Sequence, residues 1–348
     1  MHGWLNKMET RVIEIDPQDI SQEKVVDAAT YIRRGEVVGL PTETVYGLGA
    51  NTFDAVAVKR IYEAKGRPSD NPLIVHIADM EVLDEIVSYV PDDAKKLMAD
   101  FWPGPLTIVL PRSKKVPSIV TAGKDTVGVR MPSHPVFREI VREAGVPIAA
   151  PSANLFSRPS PTTAEAVFSD MKARIPLIIS SGPCDTGIES TIISLIGDRP
   201  MLLRPGGVPL EELEDSIGHI DIHTSVSNPG DKVDAPESPG MKYKHYSPDA
   251  EVILVEDIGK LEGFLEEEEK SGNKILLLSL DDIGLTIPET VRHISFSDAA
   301  EMAKSVFACF READTQGMDK IIVVAVDKDG IGLGLMNRIG KAATTRIQ

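Results

Sequence analysis

The chain has 348 residues, which at about 150 residues per domain favours two domains. Hydrophobic residues make up 42% of it, a share that is typical of globular proteins and too high for an intrinsically disordered chain. Lysine and arginine number 37 against 53 acidic residues, a net charge of −16 that argues against broad nucleic-acid binding and favours a small, enclosed anion such as a nucleotide.

Residues from about 10 to 217 alternate short β-branched runs with amphipathic helical patterns. The first helix is predicted from an N-cap at Ser21 to a stop at Gly35, and residues 37–40 form the next buried strand. Further helices are predicted to begin at Asp54, at Pro135 and at a capping box formed by Thr162 and Glu165, and further strands at 73–77, 148–150, 178–179 and 191–195. This alternation predicts a layered α/β fold with a largely parallel sheet.

The alternation stops between residues 225 and 248, a stretch rich in Pro, Gly and Ser. We interpret it as a linker between a first domain at 10–224 and a second at 249–348. A passive tether is one alternative. The other is a segment that packs on the protein as an active-site lid, because residues 241–246 (MKYKHY) combine aromatic rings, an imidazole and two cations.

The second domain resumes the alternation, with strands predicted at 252–255, 275–278 and 321–326 and helices at 258–270, from Asp298, and at 331–343. This order predicts a small Rossmann-like α/β domain. The glycines at 330–334 (GIGLG) look superficially like a dinucleotide-binding loop. Only 14 residues follow them, too few for the acidic residue that this motif needs about 20 positions on, so we predict a strand-to-helix turn.

Neither a membrane nor an export route is expected. The longest aliphatic run, residues 321–326, is far below the roughly 18 residues of a membrane span, and the first eight residues are too polar for a signal peptide. Cys184 and Cys309 are too few and too far apart for a disulfide framework. These features predict a cytoplasmic protein with two reduced thiols.

Polar motifs recur where predicted strands end. Residues 41–49 (PTETVYGLG) follow the strand at 37–40, and 152–154 (SAN) follow the strand at 148–150. Lys65 and Arg67, two positions apart around a glycine, can flank one anion. Each motif alone is weak, since such basic turns are usually exposed and Ser-x-Asn is usually a turn or cap. Together they predict an anion site at the carboxyl ends of the strands.

These motifs resemble the YrdC-like family. The resemblance rests on residues 41–49, Lys65-x-Arg67, 121–123 (TAG), 129–132 (VRMP), 152–154 and 190–192 (STI). Residues 238–243 (SPGMKY), 245–248 (HYSP), 337–339 (NRI) and 341–343 (KAA) resemble its longer, two-domain form. The resemblance covers nearly the whole chain beyond residue 8, with one departure at Phe156-Ser157, where the family often has a smaller Ser-Gly pair. It implies a twisted, open mixed sheet with flanking helices.

The resemblance also implies a reaction. L-Threonine, bicarbonate or CO2, and ATP would give threonylcarbamoyl-AMP and pyrophosphate, with Mg2+ accompanying the ATP. The product would pass to the downstream machinery that modifies an adenosine next to the anticodon of tRNA, with at most weak tRNA contact by this chain and no membrane.

By the same resemblance, the catalytic residues would be Lys65, Arg67, Ser152 and Asn154. ATP would be bound by these four together with Asn71, Thr126, Ser160, Arg204, Tyr243 and His245. Threonine would be bound by Thr42, His76, Arg130, Ala150 and Ser190. No residue is assigned as a metal ligand.

Three alternatives stay open on the sequence. One is an RNA-binding translation or ribosome-maturation factor without turnover, against which the net charge argues. The second is a carbamoyl-transferring maturation enzyme, although such proteins carry acylphosphatase and zinc-finger parts that this chain lacks. The third is a nucleotide-sensing domain without turnover.

Overall fold

The computed structural model describes residues 8–227, 246–281 and 283–348. In the first part, the helices are α1 Gln22–Arg33, α2 Ala55–Lys65, α3 Leu83–Ile86, α4 Asp92–Phe101, α5 Pro135–Ala144, α6 Ala164–Met171, α7 Leu210–Ile217 and α8 Thr224–Ser227. The strands are β1 Arg11–Glu14, β2 Val38–Leu40, β3 Gly47–Asn51, β4 Ile74–His76, β5 Leu106–Pro111, β6 Thr126–Arg130, β7 Ile148–Ala150, β8 Leu177–Ser180, β9 Thr191–Ser194, β10 Met201–Arg204 and β11 Asp221–Ile222.

These strands form one sheet in the order β1-β8-β2-β3-β7-β4-β6-β5-β9-β10-β11. Adjacent strands pair in parallel in β1/β8, β8/β2, β4/β6, β5/β9 and β10/β11 and antiparallel in the rest. The prediction of a largely parallel sheet is therefore wrong, and the mixed sheet implied by the family resemblance is confirmed. The physical reason is that β2 turns directly into β3 through residues 41–46, a connection too short for the crossover that parallel strands need.

Local sequence explains how the helices begin and end. Asp54 caps α2, because its carboxylate accepts hydrogen bonds from the amides of Val56 and Ala57. The helix ends at Gly66, which adopts the left-handed conformation with φ of +64°. The predicted capping box at Thr162 is wrong by one residue. Thr163 is the N-cap of α6, and its hydroxyl accepts from the amide of Ala166 at 3.3 Å.

The C-terminal domain contains helices α9 Leu261–Lys270, α10 Ala299–Gln316 and α11 Gly332–Ala342, and strands β12 Glu251–Val255, β13 Ile275–Leu280, β14 Arg292–Phe296, β15 Lys320–Val324 and β16 Thr345–Ile347. All neighbouring strands are parallel, in the order β14-β13-β15-β12-β16. The predicted parallel α/β architecture is confirmed. The strand order differs from that of the dinucleotide-binding fold, and the glycines at 330–334 lead into α11 as predicted.

The two domains share apolar surface. Val45 and Ile188 of the first domain are buried in the hydrophobic cluster that otherwise belongs to α10, α11 and the sheet of the second domain. Backbones approach closely at the same seam, since a Cβ on Gly334 of α11 would lie 3.0 Å from the Cα of Gly206. The second domain is therefore packed directly on loops that follow β8 and β10. Within the described residues, no helix is both long and apolar enough to cross a membrane.

Candidate functional site

A cleft lies where polar loops meet the ends of the central strands. It is lined by Thr42, Thr44, Val45, Gly47, Arg67, Ile74, His76, Arg130, Ala150, Pro151, Ser152, Asn154, Glu189, Ser190, Arg204 and Tyr246. Nine of the residues predicted from the sequence are among them, namely Thr42, Arg67, His76, Arg130, Ala150, Ser152, Asn154, Ser190 and Arg204. Nine residues that the family resemblance implies therefore line one cleft.

One side of the cleft is built by β4 and β6. These strands pair in parallel, and the register sets His76 beside Arg130 as the last residue of each strand. The Arg130 guanidinium donates from Nε to the carbonyl of Gly104 at 3.1 Å and from Nη1 to Thr44 Oγ1 at 2.9 Å. Its remaining nitrogen lies 2.7 Å from Glu43 Oε1. Arg130 is thus fixed on three sides at the edge of the cleft.

Glu43 and Arg130 form a buried ion pair, with side chains 7% and 4% exposed. The paired oxygen and nitrogen form an ion pair without a hydrogen bond, so the contact is chiefly electrostatic. Charges so deeply buried are stable only with a close partner. Glu43 therefore stabilises and orients the cation that faces the cleft.

His76 is neutral at physiological pH. Burial, and next the neighbouring Arg130 cation, lower the pKa of its imidazole to about 3. The ring packs edge-on against Phe137, with 5.7 Å between ring centroids. A neutral imidazole can donate or accept one hydrogen bond in the cleft without adding charge.

Two hydroxyls predicted to face the substrate are already hydrogen-bonded within the protein. Thr42 Oγ1 donates to the carbonyl of Val45 at 2.6 Å and lies 2.9 Å from Thr44 Oγ1. Ser190 Oγ lies 2.8 Å from Thr107 Oγ1. These bonds hold both hydroxyls in place. Thr42 Oγ1 also accepts from the amide of Thr44 at 3.2 Å, which occupies it fully. Ser190 Oγ also accepts from Arg204 Nη2 at 3.2 Å and retains capacity for one further partner.

The opposite side of the cleft is the loop at residues 152–160, which follows β7. Ser152 Oγ donates to Asn154 Oδ1 at 2.5 Å, and the Asn154 amide donates to the carbonyls of Leu155 and Arg158. Lys65 Nζ donates to the carbonyls of Ser152 and Asn154. The loop is therefore shaped by its own side chains and by a cation from the end of α2.

Lys65 lies behind the lining of the cleft. Its side chain is buried, and burial, with the nearby Arg67 cation, holds the pKa of its ammonium well below the ordinary value. The bonds that it makes in this structure go to the 152–154 backbone and to the side-chain oxygen of Asn154. A phosphate contact, as predicted from the sequence, would require the ammonium to turn from that backbone toward the cleft.

Arg67 and Arg204 bring positive charge to the lining. Arg67 donates from Nη2 to the carbonyls of Asn71 and Pro72 at 3.2 Å each. Arg204, the last residue of β10, donates from Nε and Nη2 to the carbonyl of Ser190. Burial lowers the pKa of Arg204 to about 10, so it remains a cation at neutral pH. Two fixed cations at the lining suit an anionic ligand.

The other predicted nucleotide residues occupy different positions. Ser160 is buried behind the lining and donates to Glu189 Oε1 at 2.5 Å. Asn71 is fully buried, and its side-chain amide has no hydrogen-bond partner among the described residues. Thr126 begins β6 and lines a separate small pocket that shares only Ile74 with the cleft. Tyr243 and His245 lie outside the described residues, so the predicted lid stays a prediction.

Sequence reasoning overlooked Glu189 and Tyr246 as lining residues. Glu189 directly precedes the quoted 190–192 motif, and no role is predicted for it from the sequence. Its neutralising partner is Arg338, 149 positions later, whose Nε lies 2.6 Å from Glu189 Oε2. Tyr246 stood in the quoted 241–246 segment, which gave no reason to single it out. The contact between Glu189 and Arg338 spans 149 positions, so no local sequence pattern could reveal it.

The described residues contain no group of three or more His, Cys, Asp or Glu side chains arranged to hold a metal ion. The two carboxylates nearest the cleft, Glu43 and Glu189, are each paired with an arginine. The donor set therefore does not fit a protein-held Mg2+, which commonly uses one or two carboxylates together with substrate phosphates.

Comparisons with known proteins cover both domains. The model of the family described as "Telomere recombination", of Sua5, YciO and YrdC, matches residues 30–206, and that of "Threonylcarbamoyl-AMP synthase, C-terminal domain" matches 208–344. The threonylcarbamoyl-AMP synthase of Pyrococcus abyssi is 46% identical over 94% of this chain and 96% of its own length, and that of Bacillus subtilis 43% identical over 95% and 96%. A crystal structure of P. abyssi Sua5 complexed with L-threonine superposes with a TM-score of 0.91 at 44% identity, covering 97% of this chain and 100% of that one.

Proposed function

This chain belongs to the family of Sua5, YciO and YrdC proteins in its two-domain form, and we propose that it synthesises threonylcarbamoyl-AMP and pyrophosphate from L-threonine, bicarbonate or CO2, and ATP. It is an enzyme of the transferase class. Identity of 46% and 43% over nearly whole chains carries this proposal, together with a cleft that suits two different anionic substrates.

The cleft offers different chemistry on its two sides. The Arg130 cation and the neutral His76 ring suit an amino-acid carboxylate, with the hydroxyls of Thr42 and Ser190 and the small Ala150 near the amine or side chain. The loop at 152–160, with Arg67 and Arg204, suits a nucleotide and its phosphates. We therefore infer that threonine binds on the β4/β6 side and ATP on the loop side.

The reaction needs positioning and charge neutralisation. A neutral threonine amine adds to CO2 and loses a proton, which gives a carbamate. A carbamate oxygen then attacks the α-phosphorus of ATP, and pyrophosphate leaves. Both reactants are anionic, so fixed cations lower the barrier. Holding the two in line can supply an effective molarity of about 10⁵–10⁸ M.

We assign the cationic role to Arg67 and Arg204, with Lys65 holding the loop and turning to the phosphates when ATP is present. We assign nucleotide contacts to Ser152 and Asn154 of that loop. Mg2+ would enter on the triphosphate, where it would offset phosphate charge. No residue of this chain is assigned to it, because the nearby carboxylates are already paired.

Threonylcarbamoyl-AMP is a mixed anhydride that water destroys, so a consumer must take it up quickly. We propose that this consumer is the machinery that transfers the threonylcarbamoyl group to tRNA adenosine next to the anticodon. The net charge of the chain itself is −16, which disfavours a broad RNA-binding surface.

The decisive experiment measures pyrophosphate release with L-threonine, bicarbonate and ATP, omitting each in turn. We expect release only with all three, and the adenylate as co-product in mass spectrometry. Arg67→Ala combined with Lys65→Ala should abolish release, whereas Lys59→Ala, at an exposed cation on the same helix, should not. Release that is independent of threonine, or unaffected by the double substitution, would overturn the proposal.

The RNA-binding alternative has its own test. Filter binding of tRNA from 50 to 200 mM salt should show only weak association, at or beyond the non-specific range of about 10⁻⁴–10⁻⁶ M. Tight binding together with absent pyrophosphate release would favour an RNA-binding factor instead.

A further inference from the structure

A buried arginine of the C-terminal domain contacts loops that border the cleft. Arg338 lies in α11 and is fully buried, and its Nε donates to Glu189 Oε2 at 2.6 Å. Its Nη1 donates to the carbonyl of Pro205 at 2.8 Å, in the loop that follows Arg204. One guanidinium of the second domain therefore holds two loops of the first domain that border the cleft.

Glu189 connects Arg338 to the cleft. Its Oε1 accepts from Ser160 Oγ at 2.5 Å, and Glu189 itself lines the cleft. Burial alone would raise the pKa of Glu189, but the Arg338 and Arg204 cations outweigh that effect and hold it at about 2. An ionised carboxylate at an anion-binding cleft is unfavourable unless a cation offsets it, and Arg338 lies in direct contact with it.

Arg338 also supports Tyr246, another lining residue. The guanidinium carbon lies 5.5 Å from the centre of the Tyr246 ring, which stacks on Phe307 of α10 at 5.3 Å between centroids. Tyr246 lies within the predicted linker, and the structure describes the chain again from this residue onward. The second domain thus holds this side chain against the cleft from two of its helices.

The seam around Arg338 is tightly packed. A Cβ on Gly187 would lie 2.2 Å from the Cα of Lys304 in α10, and a Cβ on Gly334 would lie 2.9 Å from a side-chain atom of Ile188. Such close backbone contact leaves α11 little freedom to move relative to the 187–190 loop. Arg338 is accordingly held at a fixed position on Glu189.

From these contacts we propose that Arg338 is a positioning residue of the nucleotide side of the cleft, through which the C-terminal domain neutralises Glu189 and orients Ser160 for ATP. It touches no substrate itself. The inference rests on the proposed function and extends it, because it gives the second domain a part in nucleotide binding while threonine binding depends on Arg130 in the first domain.

The test compares Arg338→Met, Glu189→Gln, the double variant and Arg292→Met in the full chain. Arg292 is a matched control, since it also lies in the second domain and pairs with a carboxylate, Glu312, but does not line the cleft. Isothermal titration measures affinity for a non-hydrolysable ATP analogue and, separately, for L-threonine. Circular dichroism reports folding.

We expect Arg338→Met to weaken binding of the nucleotide analogue at least about tenfold, since it deprives the Glu189 carboxylate of the cation that contacts it directly. Threonine affinity should stay within about twofold. The double variant should recover most of the nucleotide affinity, because it also removes the Glu189 charge, and Arg292→Met should bind both ligands normally. Recovery by a second substitution separates a charge effect from simple loss of structure.

Unchanged nucleotide affinity in folded Arg338→Met would overturn the inference, as would equal loss of both ligands without recovery in the double variant. Should Arg338→Met not fold, Arg338→Gln removes the same charge while keeping a hydrogen-bond donor, and its titrations are judged by the same outcomes. The titrations need no turnover. A wild-type protein that binds the analogue but forms no adenylate would therefore overturn the proposed function and leave this test intact.

Discussion

Single charges inside the first domain determine what the cleft can bind. Arg130 faces the cleft with its charge already balanced by Glu43, and Arg204 faces it while held on the Ser190 carbonyl. Each cation is fixed before a ligand arrives, so little reorganisation is needed on binding. Each of these cations therefore depends on a buried partner to hold it in position.

The Glu43–Arg130 pair should therefore matter for stability. Glu43→Gln keeps the size of the side chain but leaves Arg130 buried without its counter-charge, and we expect the free energy of unfolding to fall by about 3 kcal/mol. The matched control is Glu63→Gln, which breaks an exposed pair with Lys59 and should cost less than about 1 kcal/mol. Urea denaturation of both variants measures the difference, and equal losses would contradict the prediction.

His76 should make stability depend on pH. Its pKa is about 3 in the folded protein against 6.5 ordinarily, so the unfolded chain binds the proton more tightly. Stability from this group is fully present above pH 6.5 and is lost as the pH falls toward 3, by up to about 1.4 kcal/mol per pH unit. His76→Gln has no imidazole to titrate. The difference in unfolding free energy between this variant and the wild type should therefore change with pH below 6.5 and level off above it. A pH-independent difference in urea titrations would show that His76 is not buried as described.

At the scale of elements, the sheet positions the site through register. His76 and Arg130 meet because β4 and β6 pair in parallel and both strands end at the cleft. The loop at 152–160 borders the cleft from the other end of β4, because β7 pairs antiparallel with β4 and sets Ala150 opposite Ile74. Side chains distant in sequence are thus brought together by backbone pairing.

Much of this could be predicted from the sequence, for a physical reason. Helix caps such as Asp54, buried strands such as 148–150, and polar loops after strands are local signals. The edge strands β14 and β16 were missed because they are short and half exposed, so they lack an apolar run. Glu189 and Arg338 could not be paired, since their contact depends on how two domains pack.

The loop at 182–190 should tolerate no side chain at Gly187. That residue has φ of +79°, and a Cβ there would meet the α10 backbone at 2.2 Å. Gly145 is the matched control, because it has φ of +69° and open space around it. Gly145→Ala should lower the free energy of unfolding by about 1 kcal/mol from backbone strain alone. Gly187→Ala should lower it clearly more, because the clash with α10 adds to the strain. Thermal denaturation of the two variants measures this, and equal losses would mean that the domains do not pack closely here.

Over the whole molecule, the two domains are joined by buried apolar and ionic contacts. Val45 and Ile188 are buried in the core of the second domain. Arg311 of α10 forms two hydrogen bonds with the Asp170 carboxylate of α6, at 2.8 and 3.1 Å, and donates to the Pro159 carbonyl. The second domain therefore contacts the first domain at both ends of the proposed nucleotide site, at 159–170 and at 187–190. Such deeply buried contacts indicate that the second domain contributes to the stability of the first.

This architecture predicts that the domains unfold together. Trp102 lies in the first domain and the second domain contains no tryptophan, so a fluorescence transition reports the first domain, whereas far-UV circular dichroism reports both. In urea, the two signals should give coincident transitions. Arg311→Met leaves the buried Asp170 unpaired and should lower both midpoints together, by about 2 kcal/mol in unfolding free energy. Arg292→Met removes a partly exposed ion pair with Glu312 and should shift both midpoints little. If Arg311→Met instead moved the dichroism transition and left the fluorescence transition in place, the domains would be independent folding units, and the contacts described at 159–170 would contribute nothing to the first domain.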